Sequence, residues 1–295
     1  MSSFRIIQVS DTHLSRERPF FVANWDAAVA HINAARPDLV INSGDIALNG
    51  ADVEDDLRFS AEQHARLQVP VRTIPGNHDL GDNPASPEDT PKQPIADNRR
   101  DRYLAHFADE FWTQDAGDWR LIAMNAQLLG SGLPTEESQW SFLAQAFRDA
   151  GQKPIALFLH KPLFKDEPGE TNESKHRYVV PTPRQRLLDL AKGTNLKLVA
   201  CGHVHQHRVF EKDGITHVWA PSTAFILPDS YQPRIGTKEV GLVEYDFDGE
   251  DVAVRVVVAE GMQQTNIMDV PGAYGDLSKK MAAAPVLPIP AVAAQ

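Results

Sequence analysis

Five short apolar runs in this chain each stop at side chains that bind metals well, and that pattern restricts the possible folds more than any other feature. The first run ends in SDTHL, with Asp11 and His13, and the second in SGDIA, with Asp45. The third ends in GNHD, with Asn77, His78 and Asp79. The fourth ends in FLHKP, with His160, and the fifth in CGHVH, with His203 and His205. In an open α/β sheet, sites gather outside the carboxyl ends of the strands, so residues far apart in sequence can meet there. Asp11/His13 and His203/His205 are spaced i, i+2, which in extended chain puts both side chains on one face. Gly44, Gly76 and Gly202 stand just before the polar residues, and glycine permits a sharp turn and close approach of the backbone.

The runs alternate with helical patterns. FRIIQVS reads as a buried strand. Asn24 to Arg36 has helical spacing, with Trp25, Val29 and Ile32 on one face and Pro37 after its end. DLVINSGD is the next strand, LRFSAEQHARL the next helix and VPVRTIP the third strand, a βαβαβ opening that implies a largely parallel sheet. A polar excursion covers Gly81 to Arg100. Strand WRLIAMNA, a helix from Glu136 to Ala150 and strand KPIALFLH follow it. A second excursion spans Lys165 to Pro183, before helix RQRLLDLAK and strand LKLVACG. The remainder reads as hairpins with Asp-Gly turns, so the expectation is an α/β domain whose later sheet is more antiparallel. Long loops of this kind are commonly functional, and specificity is expected in the two excursions. After Gly261 the periodicity fades. Residues 1–260 are expected to form one domain and residues 261–295 an Ala- and Pro-rich extension, its end a tail or a docked segment that hints at a homo-oligomer contact.

Composition sets the outer limits. The 29 basic and 40 acidic residues leave a formal net charge of −11, which disfavours a nucleic-acid partner but not a small anionic substrate met by metal ions. Cys201 is the single cysteine, so neither an intrachain disulfide nor a thiolate cage can form. No run approaches the roughly 20 apolar residues of a membrane span, and the N-terminus leads directly into a strand, so a cytoplasmic location is expected. Imidazoles, carboxylates and one amide suit Mn, Fe, Zn or Co in an open site. Seven candidate ligands exceed the need of one catalytic ion. They fit two divalent or transition metal ions sharing a carboxylate, about 3.5–4 Å apart in such sites.

The ordered set D-x-H, GD, GNHD, H and GHVH, covering residues 11 to 205, resembles that of the calcineurin-like metallophosphoesterases. SDTHL, GNHD and the chain length are most similar to bacterial class III cyclic nucleotide phosphodiesterases and the related glycerophosphodiesterases. The resemblance implies a sandwich of two mixed β-sheets flanked by helices, with the site at the carboxyl ends of the strands. It assigns Asp11, His13 and His205 to one metal and Asn77, His160 and His203 to the other, with Asp45 bridging. It gives His78 to the phosphate or leaving group and makes Asp79 the residue that orients the loop or His78, both counted as catalytic. The implied reaction is hydrolysis of a phosphodiester by metal-activated hydroxide. A phosphomonoesterase with the same metals, a nuclease and a metal-binding scaffold without turnover are the competing readings. Two departures stand out. Leu48 occupies the position where purple acid phosphatases have a metal-binding tyrosine, and Lys161 stands where several relatives have a second histidine.

Other histidines carry weaker expectations. His207 continues the i+2 alternation and could stand behind the ligands, whereas His31 and His64 lie in helical patterns as surface or packing residues. His106, His176 and His217 are open, with His176 in a loop that could contact substrate. Cys201 is expected to be a buried strand residue. WAPSTAF, residues 219–225, either lines the pocket or packs in the core.

Overall fold

The computed structural model describes residues 3–86, 88–171 and 176–274. Its strands are β1 (Phe4–Val9), β2 (Leu39–Asn42), β3 (Val71–Thr73), β4 (Trp112–Ala116), β5 (Trp119–Ala123), β6 (Ile155–Phe158), β7 (Leu196–Cys201), β8 (Arg208–Lys212), β9 (Ile215–Trp219), β10 (Leu242–Asp248) and β11 (Asp251–Val257). Its helices are α1 (Val22–Ala35), α2 (Glu54–His64), α3 (Asn77–Leu80), α4 (Asp97–His106), α5 (Pro134–Ala150) and α6 (Pro181–Ala191). They build two mixed sheets, in the orders β11-β10-β1-β2-β3 and β4-β5-β6-β7-β9-β8.

Strand periodicity explains the layering. Ile6, Leu39 and Ile41 turn inward and meet Leu121, Phe158, Leu198 and Val218 of the other sheet. Ile7, Val9 and Val40 point the opposite way, against Trp25, Ala28 and Ile32 of α1. On the second sheet, Ile122, Leu157 and Val199 face Leu143 and Phe147 of α5 and Leu187 of α6. Strands covered on both faces read as continuous apolar runs rather than alternating ones, which is why the central five are plain in the sequence.

The antiparallel pairs are distributed differently from the expectation. The hairpin β10–β11 returns to the first sheet beside β1, while β8–β9 joins the second, where β5, β6, β7 and β9 run parallel. Asp213 and Gly214 form the β8–β9 turn, both at positive φ, as a tight Asp-Gly hairpin requires. In the β10–β11 turn Asp248 instead pairs with Asp251, so Gly249 and Glu250 are the loop. Strand β4 is an addition to the expected elements. The excursion after GNHD ends earlier than expected, because α4 begins at Asp97. Residues 279–295, the Ala- and Pro-rich end, lie outside the described residues. Among the described residues no helix is long and apolar enough to cross a membrane.

Candidate metal centre

Six of the seven expected ligands, Asp11, His13, Asp45, His160, His203 and His205, come together with His78 where the carboxyl ends of β1, β2, β3, β6 and β7 meet, and Asn77 opens the turn that carries His78. Three groups of ligand atoms lie close enough to hold an ion: Asp11 with His13 and His205, Asp45 with His160 and His203, and His13 with Asp45 and His78. The His205 Nε2 atom is 3.3 Å from Asp11 Oδ1 and 3.3 Å from His13 Nε2. On the other side, His160 Nε2 is 3.3 Å from Asp45 Oδ2 and 3.1 Å from His203 Nδ1. Asp45 belongs to two of the groups, the position a bridging carboxylate needs.

The backbone reaches this arrangement by a route the spacing did not suggest. Asp11, His13, Asp45, His203 and His205 all have φ between 45° and 69°, the left-handed region. The i, i+2 pairs therefore face one centre through tight turns past the strand ends, not through extended chain. Each such residue costs about 1–2 kcal/mol, and Asp and His are among the side chains that tolerate it best. Against a total stability of about 5–15 kcal/mol, five of them must be held by their surroundings. The loops after β1 and β2 are tied by backbone bonds from Asp11 to Gly44 (2.9 Å) and from His13 to Asp45 (3.0 Å). The His203 N–H donates to Asp11 Oδ2 at 2.9 Å, joining the two sheets across the site. Close approach explains two glycines: a Cβ on Gly202 would sit 1.8 Å from Ser10 Oγ, and one on Gly44 would sit 2.5 Å from His160 Nδ1.

Each imidazole is oriented from behind. Backbone carbonyls accept from His160 Nδ1 (Ser43, 2.8 Å), His205 Nδ1 (Phe225, 2.9 Å), His203 Nε2 (His176, 2.8 Å) and His78 Nδ1 (Leu48, 2.9 Å). In the neutral ring these bonds leave the opposite nitrogen bare toward the centre, the tautomer a metal ligand requires; burial lowers His160, but Asp45 beside it pushes it up to about 9. The rear nitrogen of His13 meets instead the hydroxyl of Tyr274, at 2.6 Å. Burial, with His78 beside one and His160 beside the other, holds His13 and His203 well below the usual imidazole range, so both are neutral. Burial alone would raise Asp45, but His160, His78 and His13 hold its carboxyl well below the usual range.

Asp11 Oδ1 and Asn77 Oδ1 are among the buried oxygens that have no hydrogen-bond partner. An orphaned buried acceptor costs about 1–3 kcal/mol, and both of these belong to side chains in the expected ligand set. A cation would satisfy them. The donor set therefore fits metal ions on the protein's own geometry, with carboxylate, amide oxygen and neutral imidazole and no thiolate.

The remaining expectations resolve residue by residue. Asp79 accepts from the backbone N–H groups of Gly76 (2.7 Å), Ala47 (2.8 Å) and Ile46 (3.1 Å), binding the GNHD turn to the loop after β2. It is fully buried and its carboxylate meets amides rather than the His78 ring. Phe225, from WAPSTAF, packs 4.4 Å from the His205 ring, while Trp219 lies in the core. Lys161 is buried and turns away to Asp82 and, at 2.6 Å, to Asn83 Oδ1, joining the strand end to the first excursion. His176 joins the second excursion to the first through Asp89 (3.1 Å) and contributes its carbonyl, not its ring, to His203. His207 bonds the Trp219 carbonyl at 3.1 Å, and His217 stacks on Phe210. His64 is a packing residue beside Trp25, and His31 pairs with Glu244. His106 stands 3.5 Å from Glu54. Cys201 is buried and free. Tyr274 and the His176 carbonyl went unforeseen, since neither carries a local signal.

Residues 4–207 match the calcineurin-like phosphoesterase family. A probable glycerophosphodiester phosphodiesterase from Arcobacter nitrofigilis is 29% identical over 213 residues, 68% of this chain and 71% of that one. A 3′,5′-cyclic adenosine monophosphate phosphodiesterase from Escherichia coli (strain K12) is 27% identical over 236 residues, 74% of this chain and 76% of that one. A dimetal phosphatase from Danio rerio shares the fold, with a TM-score of 0.56 at 13% identity over 86% of this chain and 95% of the other. With the family's motifs gathered at one end of two facing sheets, the chain belongs to the calcineurin-like metallophosphoesterases and is a phosphoric ester hydrolase.

Proposed function

We propose that this chain hydrolyses a phosphodiester, of the cyclic nucleotide or glycerophosphodiester class, at a binuclear metal centre. The observation that carries this reading is the convergence of six of the assigned ligand side chains, with His78, into overlapping groups with Asp45 in two of them. The kinship with two phosphodiesterases supports the choice of a diester. One ion is assigned to Asp11, His13 and His205, and the other to Asn77, His160 and His203, with Asp45 between them. Mn, Fe, Zn and Co all suit these donors. When bound, such ions supply a hydroxide nucleophile near neutral pH and neutralise charge on the phosphoryl oxygens.

The chain's own residues do the rest. His78 is half-buried, and its Nδ1–H is committed to the Leu48 carbonyl, which turns Nε2 toward the centre. From Nε2 only the imidazolium can donate, so His78 is assigned to protonate or hydrogen-bond the departing alkoxide. Its backbone N–H donates to Asp45 Oδ1 at 2.7 Å, which couples its position to that of the bridging carboxylate. Asp79 holds the turn that carries Asn77 and His78.

The test is hydrolysis of bis-p-nitrophenyl phosphate against p-nitrophenyl phosphate after metals are stripped and Mn is restored. The proposal predicts a strong preference for the diester. A preference for the monoester would replace it with a phosphatase using the same residues, and two bound ions without turnover across an ester panel would leave a scaffold.

A further inference from the structure

Tyr274 lies 261 positions from His13 and outside the residues that match the family, yet its hydroxyl stands 2.6 Å from His13 Nδ1. Its ring sits edge-on to two imidazoles of the centre, 5.8 Å from His13 and 5.3 Å from His78, and 5.9 Å from Phe225.

The segment that delivers it is anchored along its length. Asn24 exchanges side-chain hydrogen bonds with the backbone of Gln263. Ile226 pairs with Thr265 and Ile267, and the Arg18 guanidinium donates to the Ala273 carbonyl at 3.0 Å. Ile267 and Ala273 are buried with Phe21, Leu48 and Phe225. The side chain therefore arrives at the centre on a packed element.

His160, His203, His205 and His78 each have the rear nitrogen on a backbone carbonyl, which can only accept. For His13 the corresponding partner is a side-chain hydroxyl. We propose that Tyr274 is a positioning residue of the metal centre: its hydroxyl accepts from His13 Nδ1–H, holds the imidazole with Nε2 toward Asp11 and His205, and its ring packs edge-on against His78. This rests on the two-ion reading above. It makes the segment after Gly261 a working part of the site.

Tyr274→Phe keeps the ring and removes only the hydroxyl. One of two Mn equivalents should bind about 10- to 100-fold more weakly and the other unchanged, read by titration calorimetry on metal-stripped protein. In the metal-free wild-type chain, nitrogen-15 spectra should show His13 as the single Nδ1–H tautomer, and in Tyr274→Phe that preference should be lost. Wild-type affinity for both equivalents in the variant overturns the proposal. So does an Nε2–H tautomer in the wild-type chain, a result that stands even if the variant melts early. A wild-type chain that binds no second equivalent would overturn the two-ion reading instead.

Discussion

The strand ends and the loops around them serve the same centre by different means. Asp11, His13, Asp45, His160 and His205 are almost wholly buried, and all of these but His160 sit in left-handed turns cross-tied by amides. The surrounding collar keeps partly exposed side chains, with Asp82 at 19% and His176 at 27%, and is held by ion pairs and single hydrogen bonds. The ligand set rests on the buried part, and surface loops are where groups that meet a particular substrate are commonly carried. Damage to a strand end should therefore cost a metal equivalent, while damage to the collar should retune the site.

The largest effect is expected from the strand ends themselves. Asn77→Ala or His160→Ala should lose one metal equivalent and lower kcat/KM on the diester by more than the roughly 100-fold upper range typical of residues behind a ligand. Metal analysis alongside steady-state kinetics checks both, and a fully loaded, fully active Asn77→Ala would erase the distinction.

Next comes the core beneath β2. Burial pushes His64 down to about 4, and its ring nitrogens are engaged by Asn42 at 3.0 Å and the Ser60 carbonyl at 2.7 Å. Burial, with Arg208 adding to it, also pushes His217 down to about 4. Both folded values lie below the unfolded one, so the unfolded chain takes up protons first. Stability is complete above about pH 6.5 and is lost as pH falls toward 4, by roughly 3 kcal/mol for His64. Urea unfolding at pH 7 and 4.5 measures this, and His64→Gln should flatten the slope.

The smallest effect belongs to the collar. Lys161→Met removes the buried ammonium between β6 and the first excursion but leaves Asp82 in partial contact with water. A cost of about 1–2 kcal/mol is expected, below that of breaking a fully enclosed pair. Metal content should hold and KM should move more than kcat. Loss of metal in this variant would show that the collar also holds the ligands in place.

The same division governs what could be read from the chain. Strand ends are legible because a buried parallel strand leaves a continuous apolar run, and the polar residues that end it stand out. WTQDA of β4 lacks that run, and DNRRDRYLAH of α4 buries only Arg100 and Tyr103, so neither element declares itself. The left-handed turns at Asp11, His13, His203 and His205 were invisible for another reason: the i, i+2 spacing is the same whether the backbone is extended or turned. Tyr274 could not be found at all, because its role depends on where Ile226 and Phe225 let the last described segment dock.

A crystal grown with Mn and measured at its absorption edge tests the central claim most directly. The account predicts two anomalous peaks, one among Asp11, His13 and His205 and one among Asn77, His160 and His203, with the Asp45 carboxylate between them. A single peak, or a second one away from Asn77, would contradict the binuclear assignment.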